Sequence, residues 1–346
     1  MSRQVTRTAA VLGAAALLFA ATSCTSHTGC AVGASCNVRS ASPTASSPDR
    51  SSSGAPAPAG ISSAEWRDLP PAPGGARQEV AAATVGGKVY VVGGLLADQT
   101  ATARAEAYDP VTRTWTTAPP LPIGLHHPMA AGFRGRLYVL GGIMQRLGGP
   151  DSTRVFVLEG SRWAAAPALH RPRGAGAAVV VNDRIVVVGG IDGANEVAPV
   201  EIFDGSSWRD GAPMPSPLDH VGAATDGRYV YVAGGRRNGH HYGTFQRYDP
   251  VTDSWKRLPN MPTARSGLGV AFAQSSVIAF GGEGSRMFPE TEAFVVTSEK
   301  WMRLPHMGVP RHGLGVAAIG PAVYAMVGGR AVGVAPSAAC EELLLR

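Results

Sequence analysis

Six Gly-Gly pairs, at 93/94, 141/142, 189/190, 234/235, 281/282 and 328/329, close short apolar runs such as KVYVVGG, RLYVLGG, RIVVVGG and YVYVAGG. Successive pairs are 48, 48, 45, 47 and 47 residues apart, and the second glycine always lies 27 or 28 residues after a tryptophan. All six tryptophans of the chain, Trp66, Trp115, Trp163, Trp208, Trp255 and Trp301, are used in this way. Short apolar strands at that period cannot bury their faces one repeat at a time, so neighbouring repeats must stack. A repeat near 47 residues that holds several short strands is the signature of a β-propeller blade.

One repeat can be divided by alternation and turn chemistry. Between Arg265 and Trp301, Leu268 to Ala273 (LGVAFA) reads as a first strand, and Gln274-Ser275 turns into SVIAFGG as the second. After a variable loop, TEAFVV is the third strand, and a fourth begins at Trp301. Elsewhere the third strand ends in Tyr108-Asp109-Pro110 or Tyr248-Asp249-Pro250, where proline suits the second position of a type I turn.

These words in this order resemble the kelch repeat, most fully in RLYVLGG, AEAYDPVTRTW, FQRYDPVTDSW and WKRLPNMPTARSG. The resemblance covers residues 63–346 and implies an all-β, six-bladed propeller with four-stranded antiparallel blades. STRVFVLEGSRW and EIFDGSSW lack the proline and are shorter, which puts local turns rather than the fold in question. The first tryptophan precedes the first Gly-Gly, whereas the last Gly-Gly has no tryptophan after it. The strand around Trp66 is therefore an orphan fourth strand that pairs into the sixth blade and closes the ring, leaving no exposed edge there.

Before the repeats the chain changes character. Residues 1–23 carry Arg3 and Arg7 and then VLGAAALLFAA, which fits the apolar core of a secretory signal and is too short to span a membrane. The run ends at Ala21-Thr22-Ser23-Cys24, similar to a bacterial lipobox, and so predicts acylation of Cys24. Residues 24–62 are rich in Ser, Ala, Pro, Thr and Gly and read as a disordered tether. The expected location is thus outside the cytoplasm, with the membrane touched only through the acylated N-terminus, or else secretion. Cys30 or Cys36 could bridge to Cys340, or both could stay free. The net charge of +6 falls to +4 once Arg3 and Arg7 are removed. Spread over such a length, and with no Lys/Arg run, it argues against nucleic acid as a partner.

The regular placement of the tryptophans points to packing between blades, with each indole N–H on a backbone acceptor. Gly94, Gly142, Gly190, Gly235, Gly282 and Gly329 are expected to be structural, at positive φ or close approaches. In a four-stranded meander, the loops between blades and those after Gly-Gly emerge on one face. Eight of the nine histidines fall there: His126, His127, His170, His220, His306 and His312 between blades, and His240 and His241 after the fourth Gly-Gly. Counting from each tryptophan gives a ring of Arg77, His126, Arg173, Asp219, Arg265 and Arg311, with His127, His220 and His312 in alternate blades, and Arg236 among the later loops. Such a ring, facing a channel, would suit an anionic ligand, unless the arginines instead brace loop carbonyls. Three imidazoles could in principle leave an open zinc position. No HExxH, paired cysteine spacing or catalytic-triad motif supports catalysis by metal or nucleophile, and no metal or cofactor is expected.

Two functional classes follow. The first is a non-catalytic, monomeric interaction module that meets a protein, peptide or anionic glycan through the basic, histidine-rich face. The second is a carbohydrate isomerase similar to the six-bladed periplasmic kelch proteins that interconvert sialic acid anomers, with Glu283, His220 and His312 as candidate proton carriers and Arg265 or Arg311 for the sugar carboxylate. A copper oxidase similar to galactose oxidase is disfavoured, because no cysteine lies between Cys36 and Cys340.

Overall fold

The computed structural model describes residues 60–346; the signal, Cys24, Cys30, Cys36, His27 and most of the tether lie outside the described residues. Six four-stranded antiparallel sheets form the blades, with three two-stranded sheets among the loops. Blade 1 consists of Ala81–Val85, Lys88–Val92, Ala105–Asp109 and Thr114–Ala118. Blades 2 to 5 repeat this order over 129–166, 177–211, 222–257 and 269–304. The turn chemistry is local: the Asp109 and Asp249 carboxylates each accept the backbone N–H two residues on, at 2.9 Å, which fixes the exits of their strands.

Blade 6 is Gly315–Ile319, Ala322–Gly329 and Pro336–Leu345, completed by Ala64–Leu69 from the other end of the chain. The closing pair runs from Ala64 opposite Leu345 to Leu69 opposite Cys340, with Trp66 opposite Leu343. The core is divided in the same way: six apolar clusters each join two neighbouring blades, as where Val89, Val91 and Tyr108 of blade 1 meet Tyr324, Met326 and Cys340 of blade 6. Cys340 is 2% exposed in that cluster, and its possible partners Cys30 and Cys36 lie outside the described residues.

Every indole N–H reaches the blade before its own. Trp115, Trp163, Trp208, Trp255 and Trp301 donate to the carbonyls of Pro70, Pro119, Pro167, Ala212 and Pro259 at 2.8–3.0 Å. Trp66 donates to Pro305 at 3.2 Å across the closure. In all six cases the acceptor lies four residues beyond the previous tryptophan.

Two rings of backbone hydrogen bonds encircle the axis. In the inner ring, the N–H groups of His127, Ala175, His220, Gly267 and Gly313 donate to the carbonyls of Glu79, His127, Ala175, His220 and Gly267 at 2.8–3.0 Å, and Val80 N–H returns to Gly313 at 3.3 Å. The six residues that share this position, Glu79, His127, Ala175, His220, Gly267 and Gly313, all have φ between 51° and 60°. In the outer ring, the N–H groups of Gly94, Gly142, Gly190, Gly235, Gly282 and Gly328 donate to the carbonyls of Leu125, Arg173, Leu218, Arg265, Arg311 and Arg77 at 2.8–3.0 Å. The sixth glycine of this set is therefore Gly328 (φ 110°), not Gly329, and Val327 takes the place of the preceding glycine at φ 50°. A register shift between Met326 and Gly328 displaces the pair by one residue.

Deleting residues 63–70 should remove the closing strand together with the Trp66 bond. A marked fall in melting temperature is expected by differential scanning calorimetry, and an unchanged transition would refute this mode of closure.

Candidate functional site

The four arginines expected to line the channel are instead fully buried within their blades. Arg77, Arg173, Arg265 and Arg311 pair with Glu106, Glu201, Glu292 and Glu341 on the third strands of the same blades at 2.5–3.1 Å. Their remaining donors go to main-chain carbonyls, such as Gly189 and Pro199 for Arg173. The glutamates in turn accept from the loop that enters the blade: His170 N–H on Glu201, Thr263 hydroxyl on Glu292, Gly308 N–H on Glu341. Burial lowers the pKa of Arg173, Arg265 and Arg311, and the paired glutamates pull it back up. These side chains clamp the loop and are not available to a ligand.

The outer ring also corrects the register of the predicted set. The blade 2 and blade 4 equivalents of the arginines are Leu125 and Leu218, not His126 and Asp219. Opposite them on the third strands stand Phe156 and Gln246 in place of glutamate. Arginine and glutamate are thus present together or absent together within a single chain. That internal covariation is legible in the repeats themselves.

The inner-ring position carries the polar site. Glu79, His127 and His220 stand on it, and His312 lies one residue before it in blade 6. With Arg236, Glu283, Leu147 and Val334, they line a cavity of about 120 Å³ at the loop end of the channel. His127 Nε2 is 2.9 Å from His220 Nε2 and 3.0 Å from Glu79 Oε2. His312 Nδ1 is 3.2 Å from Glu79 Oε1 and 3.7 Å from Glu283 Oε2. Arg236 joins the acids on the other side, 3.1 Å from Asp219 Oδ1 and 3.1 Å from Glu283 Oε1. His127, His220, His312, Glu283 and Arg236 from the predicted set are brought together, and Glu79 joins them: nothing near it in the sequence is motif-like, and only the ring register places it.

The other predicted residues are dispersed. His126 is buried behind His127, with Nε2 3.0 Å from the Arg146 carbonyl. His240–His241 form a hairpin with Arg236–Arg237 at the rim, where His240 is exposed and His241 Nδ1 lies 2.9 Å from the Ser266 hydroxyl. His170 sits outside, 2.9 Å from Asp210, and His306 is exposed. At the opposite end the channel widens to a cavity of about 360 Å³, lined by small and apolar side chains such as Ala83, Ala131, Ala224, Ala271 and Ala317, with no titratable group.

Electrostatics at the loop end are mixed rather than basic. Burial alone would raise the Glu79 carboxyl, but His127 and His312 hold it well below the usual range. His312 is pushed down by burial and, more strongly in sum, up by Glu79 and Glu283, so it lies above its ordinary value. His220 is lowered by burial despite Asp219. His126 is lowered to about 4, first by burial and then by His127.

A six-bladed antiparallel propeller, closed by its N-terminal strand and with polar groups gathered at one channel mouth, defines the class of protein. Residues 126–329 match the KLHDC2/KLHL20/DRC7 Kelch-repeats domain, and residues 76–122 match the Kelch motif. The chain belongs to the kelch-repeat family. It is 30% identical over 245 residues to Kelch-like protein terF of Aspergillus terreus, covering 63% of this chain and 53% of that protein. Over 197 residues it is 31% identical to mouse Kelch-like protein 35, covering 55% of this chain and 33% of the relative. The chain thus spans about half or less of the length of these relatives. A solved structure titled "Structure of YjhT" superposes with a TM-score of 0.68 at 16% identity, covering 78% of this chain and 95% of that one, a likeness of fold.

Two predictions follow from the buried groups. Arg265→Ala leaves Glu292 buried without its partner and should cost about 3–5 kcal/mol in urea unfolding, while Arg265→Met with Glu292→Met should recover most of it. A double variant no better than the single would count against the clamp.

The second concerns pH. The folded protein binds protons at His126 and His220 less readily than the unfolded chain does, so their contribution is full above the ordinary histidine value near 6.5. It declines as pH falls through 6.5 towards about 4. Glu79 adds a further loss at lower pH, below the ordinary glutamate range, as its depressed folded value is approached. His312 acts in the opposite sense, stabilising below 6.5 and losing that contribution as pH rises through its raised folded value. Unfolding free energies at pH 7 and pH 5 should therefore fall on acidification, and His126→Asn should flatten the slope; equal slopes in both proteins would contradict the assignment.

Proposed function

We propose that this chain is an extracytoplasmic kelch propeller, anchored through acylated Cys24, which acts as a binding module for a protein or peptide on its loop-rich face. The observation that carries this reading is the state of the channel mouth. Its cavity of about 120 Å³ is well under the roughly 300 Å³ and more of small-molecule sites, so the partner meets the loops rather than the interior. Around that mouth Leu147 and Val332 are 44% and 55% exposed, beside half-exposed Arg236 and exposed His240. Apolar and cationic groups interleaved at a rim suit a polypeptide. An anionic glycan is less well served, because Arg77, Arg173, Arg265 and Arg311 are buried and its contacts would fall to loop residues such as Arg236, Arg237, His240, Arg286 and Arg330.

The carbohydrate isomerase reading keeps one supporting observation: Glu283, His220 and His312, its candidate proton carriers, line the same cavity. The cavity volume weighs against it, and so does the loss of Arg265 and Arg311 as carboxylate binders.

Two measurements separate these readings. A thermal-shift screen with anionic sugars should give no response, since a ligand at a hundred times its dissociation constant adds about 2.7 kcal/mol. A pull-down from the extracytoplasmic fraction should recover a partner that is lost with Leu147→Asp; a sugar-induced shift with no such partner would reverse the preference. Cys24→Ala should move the protein from the membrane to the soluble fraction, and an unchanged distribution would refute the anchor.

A further inference from the structure

The imidazoles at the channel mouth can be assigned tautomers from their outer ends inwards. His126 Nε2 faces the Arg146 carbonyl at 3.0 Å, an acceptor only, so this nitrogen carries a proton. A neutral His126 then offers a lone pair at Nδ1, and His127 Nδ1, 2.5 Å away, must donate to it. From the other side, the Asp219 carboxylate bonds His220 Nδ1 and requires the proton there. Both assignments leave lone pairs on His127 Nε2 and His220 Nε2, which face each other at 2.9 Å, with Glu79 Oε2 3.0 Å from the former. Three electron-pair donors converge with no proton between them.

The charge balance has the same gap. Glu79, Asp219 and Glu283 are each 5–7% exposed, and Arg236 is the one guanidinium among them. With neutral imidazoles, two negative charges remain uncompensated. His312, 1% exposed, turns toward the same carboxylates an Nδ1 that makes no hydrogen bond of good geometry.

We propose that Glu79 Oε2, His127 Nε2 and His220 Nε2 bind one divalent transition-metal ion of the zinc class. Two imidazoles and a carboxylate are the donor set of three-ligand zinc sites with an open position. The second nitrogen of each imidazole is held by a neighbour, His126 or Asp219, as metal-bound imidazoles require. The three donor atoms lie within 4.8 Å of one another. Zinc bonds of about 2.0–2.1 Å place tetrahedral donors about 3.3 Å apart, so a few tenths of an ångström of opening admits the ion. Arg236 Nη2, 3.1 Å from His220 Nε2, competes for that lone pair and must turn aside. Its side chain is one-third exposed. The open position faces the cavity bounded by Glu283 and His312.

The test uses the full chain, loaded with Zn²⁺, desalted and analysed for metal by mass spectrometry. About one equivalent should be retained, and Co²⁺ in its place should give the visible absorption of a low-symmetry, four-coordinate site. Glu79→Gln and His220→Asn should each reduce retention at least tenfold, whereas His170→Asn, at the exposed His170–Asp210 pair, should retain the metal. The cobalt spectrum and a zinc-induced rise in the melting temperature of the unaltered chain keep the test independent of whether the variants fold. Wild-type protein that keeps no metal and shows no cobalt bands holds a proton at the central contact, and overturns the proposal. Metal that survives both Glu79→Gln and His220→Asn, or is lost only with His170→Asn, overturns it equally.

Discussion

Six backbone hydrogen bonds running head to tail around the axis hold the blades in register. They require a left-handed backbone at one residue per blade, and two blades meet that with Gly267 and Gly313. The other four place Glu79, His127, Ala175 and His220 there, although an L-residue at such φ costs on the order of 1 kcal/mol. Three of these four are titratable side chains, and all three converge on one point of the axis. Local strain is thus concentrated where the polar chemistry lies, as is common at functional sites. The axial ring both closes the propeller and aims the side chains.

Scaffold and site divide the blades between them. Blades 1, 3, 5 and 6 carry the buried arginine–glutamate clamp, whereas blades 2 and 4 replace it with Leu125 and Phe156, and with Leu218 and Gln246. Those two blades are the ones that supply His126, His127, Asp219 and His220. Gln246 still reaches the Ser216 carbonyl at 3.1 Å, so blade 4 holds its entry loop with a neutral group. An apolar residue at the clamp position keeps a further buried charge pair away from the histidines and acids of the mouth, where unpaired charge would be costly.

The fold was legible because its signals repeat. Tryptophan, Gly-Gly and Asp-Pro recur at fixed offsets, and the orphan Trp66 strand reveals the closure by its place in the order. Side-chain direction was not legible in the same way. Arg77, Arg173, Arg265 and Arg311 sit at the start of inner strands, a position that could face either the channel or the blade interior, and the deciding partner lies 27 to 30 residues downstream. Glu106 stands in plain view in AEAYDPVTRTW, but nothing in that word marks it as a counter-ion. The offset from tryptophan to the clamp position is 11 residues in blade 1 and 10 in the other five, so an offset of 11 in blades 2 and 4 slips the set by one residue and hides the equivalence of Glu79 with His127 and His220. The displaced glycine of blade 6 has the same origin, since Val327 there adopts a conformation that sequence alone assigns to glycine.

Closure by the first strand has a consequence for the order of folding. The bond from the Ser62 hydroxyl to the Arg346 carbonyl spans 284 residues, and the whole of Ala64–Leu69 pairs with the final strand. Blades 1 to 5 are built from contiguous sequence and can form as the chain emerges, but the sixth cannot be completed until the last residues are available. Until then Ala64–Leu69 is a solitary strand with an exposed tryptophan, and the nascent ring has two open edges of the kind that recruit other strands. The final step is a long-range loop closure, intrinsically slow, and it converts an open stack of blades into a structure with no end from which to fray.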